Sequence, residues 1–169
     1  MKATLIINNQ ALEVEISEEE YKKLQTTEKK KTGYERVDED DTYYHESYRG
    51  DVDHARDERC PWDDEPYKTA NYYSSETVAQ NNARADQLMR QLRRFAVEHR
   101  DKELDWNDNT QAKYGIGYEH GYRRLEVYHN YSSHNFGQIY FDTQEAVKHA
   151  IDTFHDELIW YFTEYKDSL

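Results

Sequence analysis

The side chains best suited to chemistry in this 169-residue sequence are its carboxylates, since Asp and Glu together number 35. Paired carboxylates can serve as general acid and base in hydrolysis, but in a chain this acidic such pairs arise by chance. The eight histidines and the single cysteine, Cys60, lack the short regular spacing of a zinc site. We therefore expect no catalytic residue, no metal and no cofactor.

Sequence motifs of catalysis are also missing: there is no G-x-S-x-G, Walker A loop, H-E-x-x-H or G-x-G-x-x-G. Gly115-Ile116-Gly117 is an isolated G-x-G inside a predicted strand, where glycine indicates a close backbone approach or a bulge. Asp105–Asn109 is similar to a calcium loop only in its acids, because the glycine and terminal Glu of an EF-hand are absent. The sequence predicts a binding protein, with a nuclease as the enzymatic alternative.

The negative charge is concentrated in one stretch. The formal net charge is −13, and residues 34–78 alone carry 14 acids and 5 bases, with seven tyrosines and only three residues of the Leu, Ile, Val and Phe set. Carboxylates and aromatics recur every few residues here, which is typical of a partner-binding surface. The predicted partner-binding residues are Asp38, Glu39, Asp40, Asp41, Tyr43, Tyr44, Asp51, Asp53, Asp57, Glu58, Trp62, Asp63, Asp64 and Glu65.

Such a surface has the charge pattern of a nucleic acid. B-form DNA presents one charge per roughly 1.7 Å of its axis, so dense carboxylates can occupy a basic groove that normally holds DNA. Tyr43, Tyr44 and Trp62 could take the places of bases or anchor the interface. The field of a −13 chain favours a basic partner and repels phosphates. We expect a basic nucleic-acid-binding protein as partner and no small-molecule ligand; an acidic surface that merely solvates the fold is the alternative.

One basic stretch interrupts the acids. Residues 79–100 carry 2 acids and 5 bases, and Arg90, Arg93, Arg94 and Arg100 can project toward one side of a helix. This pattern allows two interpretations, a contact with RNA or phosphate and ion pairing with the chain's own acidic segment.

The elements that position these residues begin with a small N-terminal unit, residues 1–32. Strands at 4–7 and 11–16 flank Asn8-Asn9-Gln10 as a β-hairpin. Ser17 and Glu20 form a capping box for a short helix that ends near Gln25, and a lysine-rich linker follows. We interpret this unit as a small appendage or as an oligomerisation arm, which would make the protein a homodimer.

Residues 33–169 form the predicted main α+β domain, which contains the acidic, Tyr-rich segment 34–73. In that segment 34–37 could pair with 42–44. Apolar spacing predicts a long helix over 75–99, capped by Ser74 or Ser75. Strands at 113–118, 125–128 and 136–141 form a meander. Asp142 or Thr143 then begins one or two C-terminal helices. The fold class is therefore an antiparallel meander packed on one long helix and one or two C-terminal helices, with a small N-terminal β-hairpin plus helix.

The compartment follows from simple exclusions. No run of about 18 apolar residues exists, so no membrane span is expected. The N-terminus turns polar at Asn8-Asn9, too soon for a signal peptide. Cys60 alone cannot form an internal disulfide, which fits a reducing cytoplasm. We expect the protein in the cytoplasm of a host cell.

Four motifs carry a family resemblance. They are the opening Leu5–Glu20 pattern, Lys31–Val37, Leu104–Asp108 with Lys113-Tyr114, and Phe136–Phe141 followed by Glu145-Ala146 and Trp160–Glu164. In this order the chain resembles small accessory proteins of phages and prophages of Gram-positive bacteria.

Some acidic members of that group are anti-CRISPR proteins that block the nucleic-acid channel or the PAM-reading arginines of Cas9. The resemblance thus implies an inhibitor of the Cas9–guide RNA complex that acts as a DNA mimic. The alternative is a virion or assembly protein that self-associates through its aromatic surfaces.

Overall fold

The computed structural model describes residues 2–7, 10–15, 17–19 and 31–165. It confirms a mixed α+β fold. The strands are β1 (Lys2–Ile7), β2 (Gln10–Glu15), β3 (Thr42–Glu46), β4 (Val52–Arg56), β5 (Lys113–Glu119) and β6 (Arg124–Asn130). The helices are α1 (Pro61–Lys68), α2 (Glu76–Glu98), α3 (Gln144–Thr153) and α4 (His155–Thr163).

The N-terminal hairpin forms as its sequence predicts. Strands β1 and β2 pair antiparallel, with Leu5 opposite Leu12 and Ile7 opposite Gln10. The turn at Asn8-Asn9 and most of the helix predicted after Ser17 lie outside the described residues.

The long helix α2 is the element that joins the two halves of the main domain. The Ser75 side chain accepts a hydrogen bond from the Val78 N–H, which caps the first turn as predicted. Ala79 and Ala83 lie buried near the N-terminal end of the helix, while Leu88 and Phe95 lie in the main apolar core toward the C-terminal end. The same helix therefore contributes side chains to two buried regions.

The C-terminal half holds the main apolar core. Strands β5 and β6 form a two-stranded antiparallel sheet, and helices α3 and α4 pack with α2 against it. The Thr143 hydroxyl accepts from the Ala146 N–H and begins α3. The glycines of β5 lie under an aromatic ring: a Cβ added at Gly115 would lie 2.6 Å from Tyr128. This confirms the close backbone approach that the G-x-G pattern predicts.

The predicted third strand, 136–141, differs from the expected meander in one detail. Only Phe141 pairs, and it bridges Tyr114 of β5 instead of joining β6. The chain before it is folded into a loop around the Tyr140 hydroxyl, which accepts from the Asn135 N–H at 3.0 Å and donates to the Ser133 carbonyl at 3.3 Å. A chain bent in this way cannot run alongside a strand.

The acidic segment folds differently from its predicted pairing. Strand β3 pairs with β4, Tyr43 opposite Ala55, and not with residues 34–37. Residues 38–41 instead form a turn in which Asp40 adopts a φ of 69°, and the Asp40 N–H donates to the Asp57 carbonyl at 2.9 Å. A second bridge, between Tyr44 and Tyr73, ties β3 to the chain just before α2.

Two phenylalanines test this arrangement. Phe141 is 1% exposed within the apolar core, so Phe141→Ala should lower the free energy of unfolding by about 3 to 5 kcal/mol in urea denaturation. Phe136 is 107% exposed, and Phe136→Ala should change it by less than about 0.5 kcal/mol. Equal losses from the two variants would contradict the placement of the core.

Candidate functional site

The acidic segment is organised around one buried carboxylate, that of Asp57. Arg36 donates two hydrogen bonds to it, from Nε at 2.7 Å and from Nη2 at 3.0 Å. The Tyr72 hydroxyl donates to it at 2.9 Å, and Arg59 contributes its backbone N–H at 3.0 Å. Chiefly because of the Arg36 hydrogen bonds, the pKa of Asp57 lies well below its ordinary value. The charge is therefore retained inside the fold.

A second buried carboxylate, Asp63, lies in the first turn of α1. Its oxygens accept from the Tyr43 hydroxyl at 3.2 Å and from the N–H groups of Glu58 and Cys60 at 2.9 and 3.2 Å. Burial alone would raise the pKa of Asp63, but these bonds, with one from the Cys60 thiol, outweigh burial and hold the pKa below its ordinary value. Asp63 thereby fixes the chain that enters α1.

Tyrosines supply the packing that aliphatic side chains supply elsewhere. The rings of Tyr43 and Tyr72 stack at 4.2 Å with an interplanar angle of 12°, and Tyr67 meets Tyr72 edge to face at 5.3 Å. Burial raises the pKa of Tyr43, Tyr72 and Tyr73 to about 12. Rings that bury their faces and donate their hydroxyls to carboxylates make a small polar core.

Three of the predicted partner-binding residues are therefore structural. Asp57, Asp63 and Tyr43 are buried and bonded within the chain, so they cannot present a surface to a partner. Two more, Tyr44 and Asp64, are half-buried, and Asp64 is paired with Arg36 at 2.7 Å. Sequence reasoning counted these residues as surface because it had no means of telling a buried aspartate from an exposed one.

The other nine predicted residues are exposed. We name this set the acidic face: Asp38, Glu39, Asp40, Asp41, Asp51, Asp53, Glu58, Trp62 and Glu65. Backbone hydrogen bonds of Asp57 with Asp40 and Asp41 hold residues 38–41 beside the end of β4. Trp62, in the first turn of α1, is 86% exposed. Among the residues the structure describes, none of the eight carboxylates of the face forms an ion pair.

The arginines of α2 fall into two groups. Arg90 pairs with Glu46 of the acidic segment at 2.7 Å, and Arg84 pairs with Glu157 of α4 at the same distance. For Arg90 the interpretation as a partner of the chain's own acids is confirmed. Arg94 contacts Glu98 at 3.9 Å. Arg93 and Arg100, which lies just after the end of α2, instead line a pocket.

Sequence analysis missed Arg36, which organises the site. The one available signal is that Arg36 is among the five bases of a strongly acidic stretch, where each arginine has many potential partners.

Comparison with known protein families, with curated proteins and with solved structures finds no similar protein. The resemblance to phage accessory proteins therefore stays a prediction. Within residues 31–165 and the described N-terminal stretches, no three His, Cys, Asp or Glu side chains are grouped to hold a metal ion. In the same part of the chain no helix has the length and apolar character needed to cross a membrane.

The buried charge of Asp57 yields a stability prediction. In Asp57→Asn, Arg36 and Arg59 lose the charge that compensates them, and the free energy of unfolding should fall by about 3 kcal/mol. Asp53 lies on the same hairpin but is exposed, so Asp53→Asn is the matched control and should stay within about 0.5 kcal/mol of the wild type. Urea denaturation at neutral pH measures both.

The same residue makes stability depend on acid. Because the folded-state pKa of Asp57 is depressed, its stabilisation is complete above the unfolded pKa of about 3.9 and is lost as the pH falls below it. The difference in unfolding free energy between wild type and Asp57→Asn should therefore be constant above about pH 5 and shrink as the pH falls from about 5 to 2, toward the depressed folded-state pKa. A difference that stays constant over this range would show that the Asp57 charge is not what stabilises the fold.

Proposed function

We propose that this protein is a non-enzymatic inhibitor that binds a basic, nucleic-acid-binding surface of another protein through its acidic face. The observation that carries the proposal is the division of the acids. The buried Asp57 is paired with Arg36 and Arg59, and the half-buried Asp64 with Arg36, while the eight exposed acids carry no described ion-pair partner. Unpaired carboxylates on a folded support attract a basic partner over a long range.

The scale of the acidic face suits a DNA-binding groove. The five-residue strands of the β3–β4 hairpin separate the 38–41 turn from the turn that holds Asp51. The distance between the two turns is about 17 Å at the usual rise per residue. B-form DNA carries about ten charges over that length, and six of the eight carboxylates of the acidic face lie on this hairpin and its two turns. The charge density is thus of the same order as that of the ligand it would replace.

Rigidity favours the same function. The 38–41 turn is held to Asp57 by backbone hydrogen bonds, and Asp57 is held by Arg36, Arg59 and Tyr72. A surface that is ordered before binding avoids the entropic cost of ordering it in the complex. The acids can therefore act as a preformed template for arginines and lysines.

The Cas9–guide RNA complex is the first partner to test, on the ground of the family resemblance in the sequence. Its PAM-reading arginines are a suitable target for clustered carboxylates. Inhibition would occur in the cytoplasm of the host cell, by occupancy of the groove and without covalent chemistry.

Charge reversal tests the acidic face. Asp38→Lys/Glu39→Lys/Asp41→Lys should weaken binding to Cas9–guide RNA at least tenfold, measured by titration at low salt, because three attractive contacts become repulsive. Asp101→Lys/Glu126→Lys/Asp152→Lys is the matched control: it changes the net charge equally but uses exposed acids of the C-terminal half. Affinity of the wild type should also fall steeply with salt. If the two triple variants bind equally well, the acidic face is not the interface.

Trp62 tests the aromatic part of the face. As an exposed ring beside the acids it is positioned to anchor an interface, so Trp62→Ala should reduce affinity at least tenfold with no loss of stability. Tyr122, exposed in the turn between β5 and β6, gives the control Tyr122→Ala, which should bind as the wild type does. Both are read out in the same titration and by thermal unfolding.

Self-association is the second candidate function, and the exposed aromatic side chains favour it. Tyr48, Trp62, Tyr122 and Phe136 all lie on the surface. Sedimentation of the isolated protein distinguishes the two functions, since an assembly protein forms large symmetric particles in the absence of any partner.

A further inference from the structure

A pocket of about 410 Å³ lies between the C-terminal end of α2 and the loop that leads to Phe141. We name it the basic pocket. Its floor is apolar and aromatic, and its charged or ionisable lining residues are Arg93, Arg100 and His134, with no carboxylate among the residues that line it. In a chain with a net charge of −13, a concave site without acids is a local reversal of the charge. Its lining residues are Arg93, Ala96, Val97, Arg100, Leu104, Trp106, His134, Gly137, Gln138, Ile139 and Tyr140.

The two arginines of the basic pocket are left with unused donors. Arg93 lies in α2 and Arg100 just after its end. Their separation of seven residues corresponds to two helical turns, which places both on the same side. The Arg100 Nε is buried and has no hydrogen-bond partner. Its only ion pair among the described residues is a 3.6 Å contact with Glu103, which is 95% exposed. A buried cationic N–H without an acceptor is costly, so an anion bound next to Arg100 would be favourable.

One oxygen of the neighbouring acid Asp142 is occupied elsewhere, whereas its Oδ1 is buried without a hydrogen-bond partner. Asp142 Oδ2 accepts from the N–H groups of Asp101 and Lys102, both at 2.8 Å, and Asp142 does not line the pocket. Arg93 forms no ion pair in the part of the chain that is described. The Arg93 guanidinium therefore has no described acidic partner, and that of Arg100 has only the long contact with Glu103, so both retain donors for an anion.

The aromatic wall is built and rigid. The rings of Trp106 and His134 stack at 4.3 Å with an interplanar angle of 2°, and Tyr140 meets Trp106 edge to face at 4.9 Å. The fully buried Lys113 places its Nζ 5.3 Å from the Trp106 ring. Since His134 is exposed, a further planar ring can continue the stack.

We propose that the basic pocket binds a nucleoside monophosphate unit, with the phosphate on Arg93 and Arg100 and the base stacked on His134. Arginine forks match phosphate oxygens, bases stack on aromatic side chains, and the pocket has the volume of a small-ligand site. This proposal goes beyond the acidic face and stands on different residues, so either can fail alone. The same chemistry is offered by a free nucleotide and by one nucleotide of a single strand.

Calorimetric titration of the full chain tests the proposal with four probes: AMP, adenosine, inorganic phosphate and hexa-adenylate RNA. AMP should bind at least tenfold more tightly than adenosine or phosphate alone, because only AMP engages both parts of the pocket. Binding of hexa-adenylate that AMP displaces assigns the site to a nucleotide within a strand, and binding of AMP alone assigns it to a free nucleotide. Absence of AMP binding at millimolar concentration overturns the proposal.

Variants locate the site. Arg93→Gln and Arg100→Gln should each weaken AMP binding at least tenfold, whereas Arg56→Gln, which removes the same charge from an exposed site on β4, should not. His134→Ala keeps both arginines and should bring the affinity for AMP down to that for phosphate. His134 is exposed and should be replaceable without unfolding. AMP binding that none of the three pocket variants weakens would also overturn the proposal.

Discussion

The burial of the Asp57 carboxylate is the constraint on which the first half of the main domain depends. A buried charge is tolerated only when it is paired and fully hydrogen-bonded, and here Arg36, Arg59 and Tyr72 meet that requirement together. Those partners come from three separate parts of the segment. Satisfying one carboxylate therefore fixes the path of the chain from residue 36 to residue 72, a stretch with almost no aliphatic side chains to do so.

This arrangement explains how the chain can be poor in aliphatic residues and still fold. Tyr43 and Tyr72 stack and use their hydroxyls on Asp63 and Asp57, so the first half has a polar, aromatic core. The second half has an ordinary apolar core around Phe141 and Val147. Helix α2 contributes to both, and the Arg90–Glu46 pair reinforces the connection between them. The two halves are thus held by different physical interactions on one shared helix.

The sequence predicted the elements that repeat with a regular period and missed those that depend on single polar contacts. Helix α2, its Ser75 cap, strands β5 and β6 and the helix after Thr143 all have apolar spacing or a capping residue that can be read locally. The β3–β4 pairing has no such pattern. It depends on Asp57, which in the sequence looks like every other aspartate nearby. The same reason explains why Asp57 and Asp63 were predicted as surface residues.

The net charge of −13 describes neither the acidic face nor the basic pocket well. Around Asp57 the arginines are used to neutralise buried acids, which leaves the exposed acids uncompensated. Along α2, Arg84 and Arg90 are paired with Glu157 and Glu46, yet Arg93 and Arg100, near and just after the C-terminal end of the helix, line a pocket without carboxylates. Leaving the Arg100 Nε buried and without an acceptor costs stability, and the anionic ligand that we propose for the basic pocket would offset that cost.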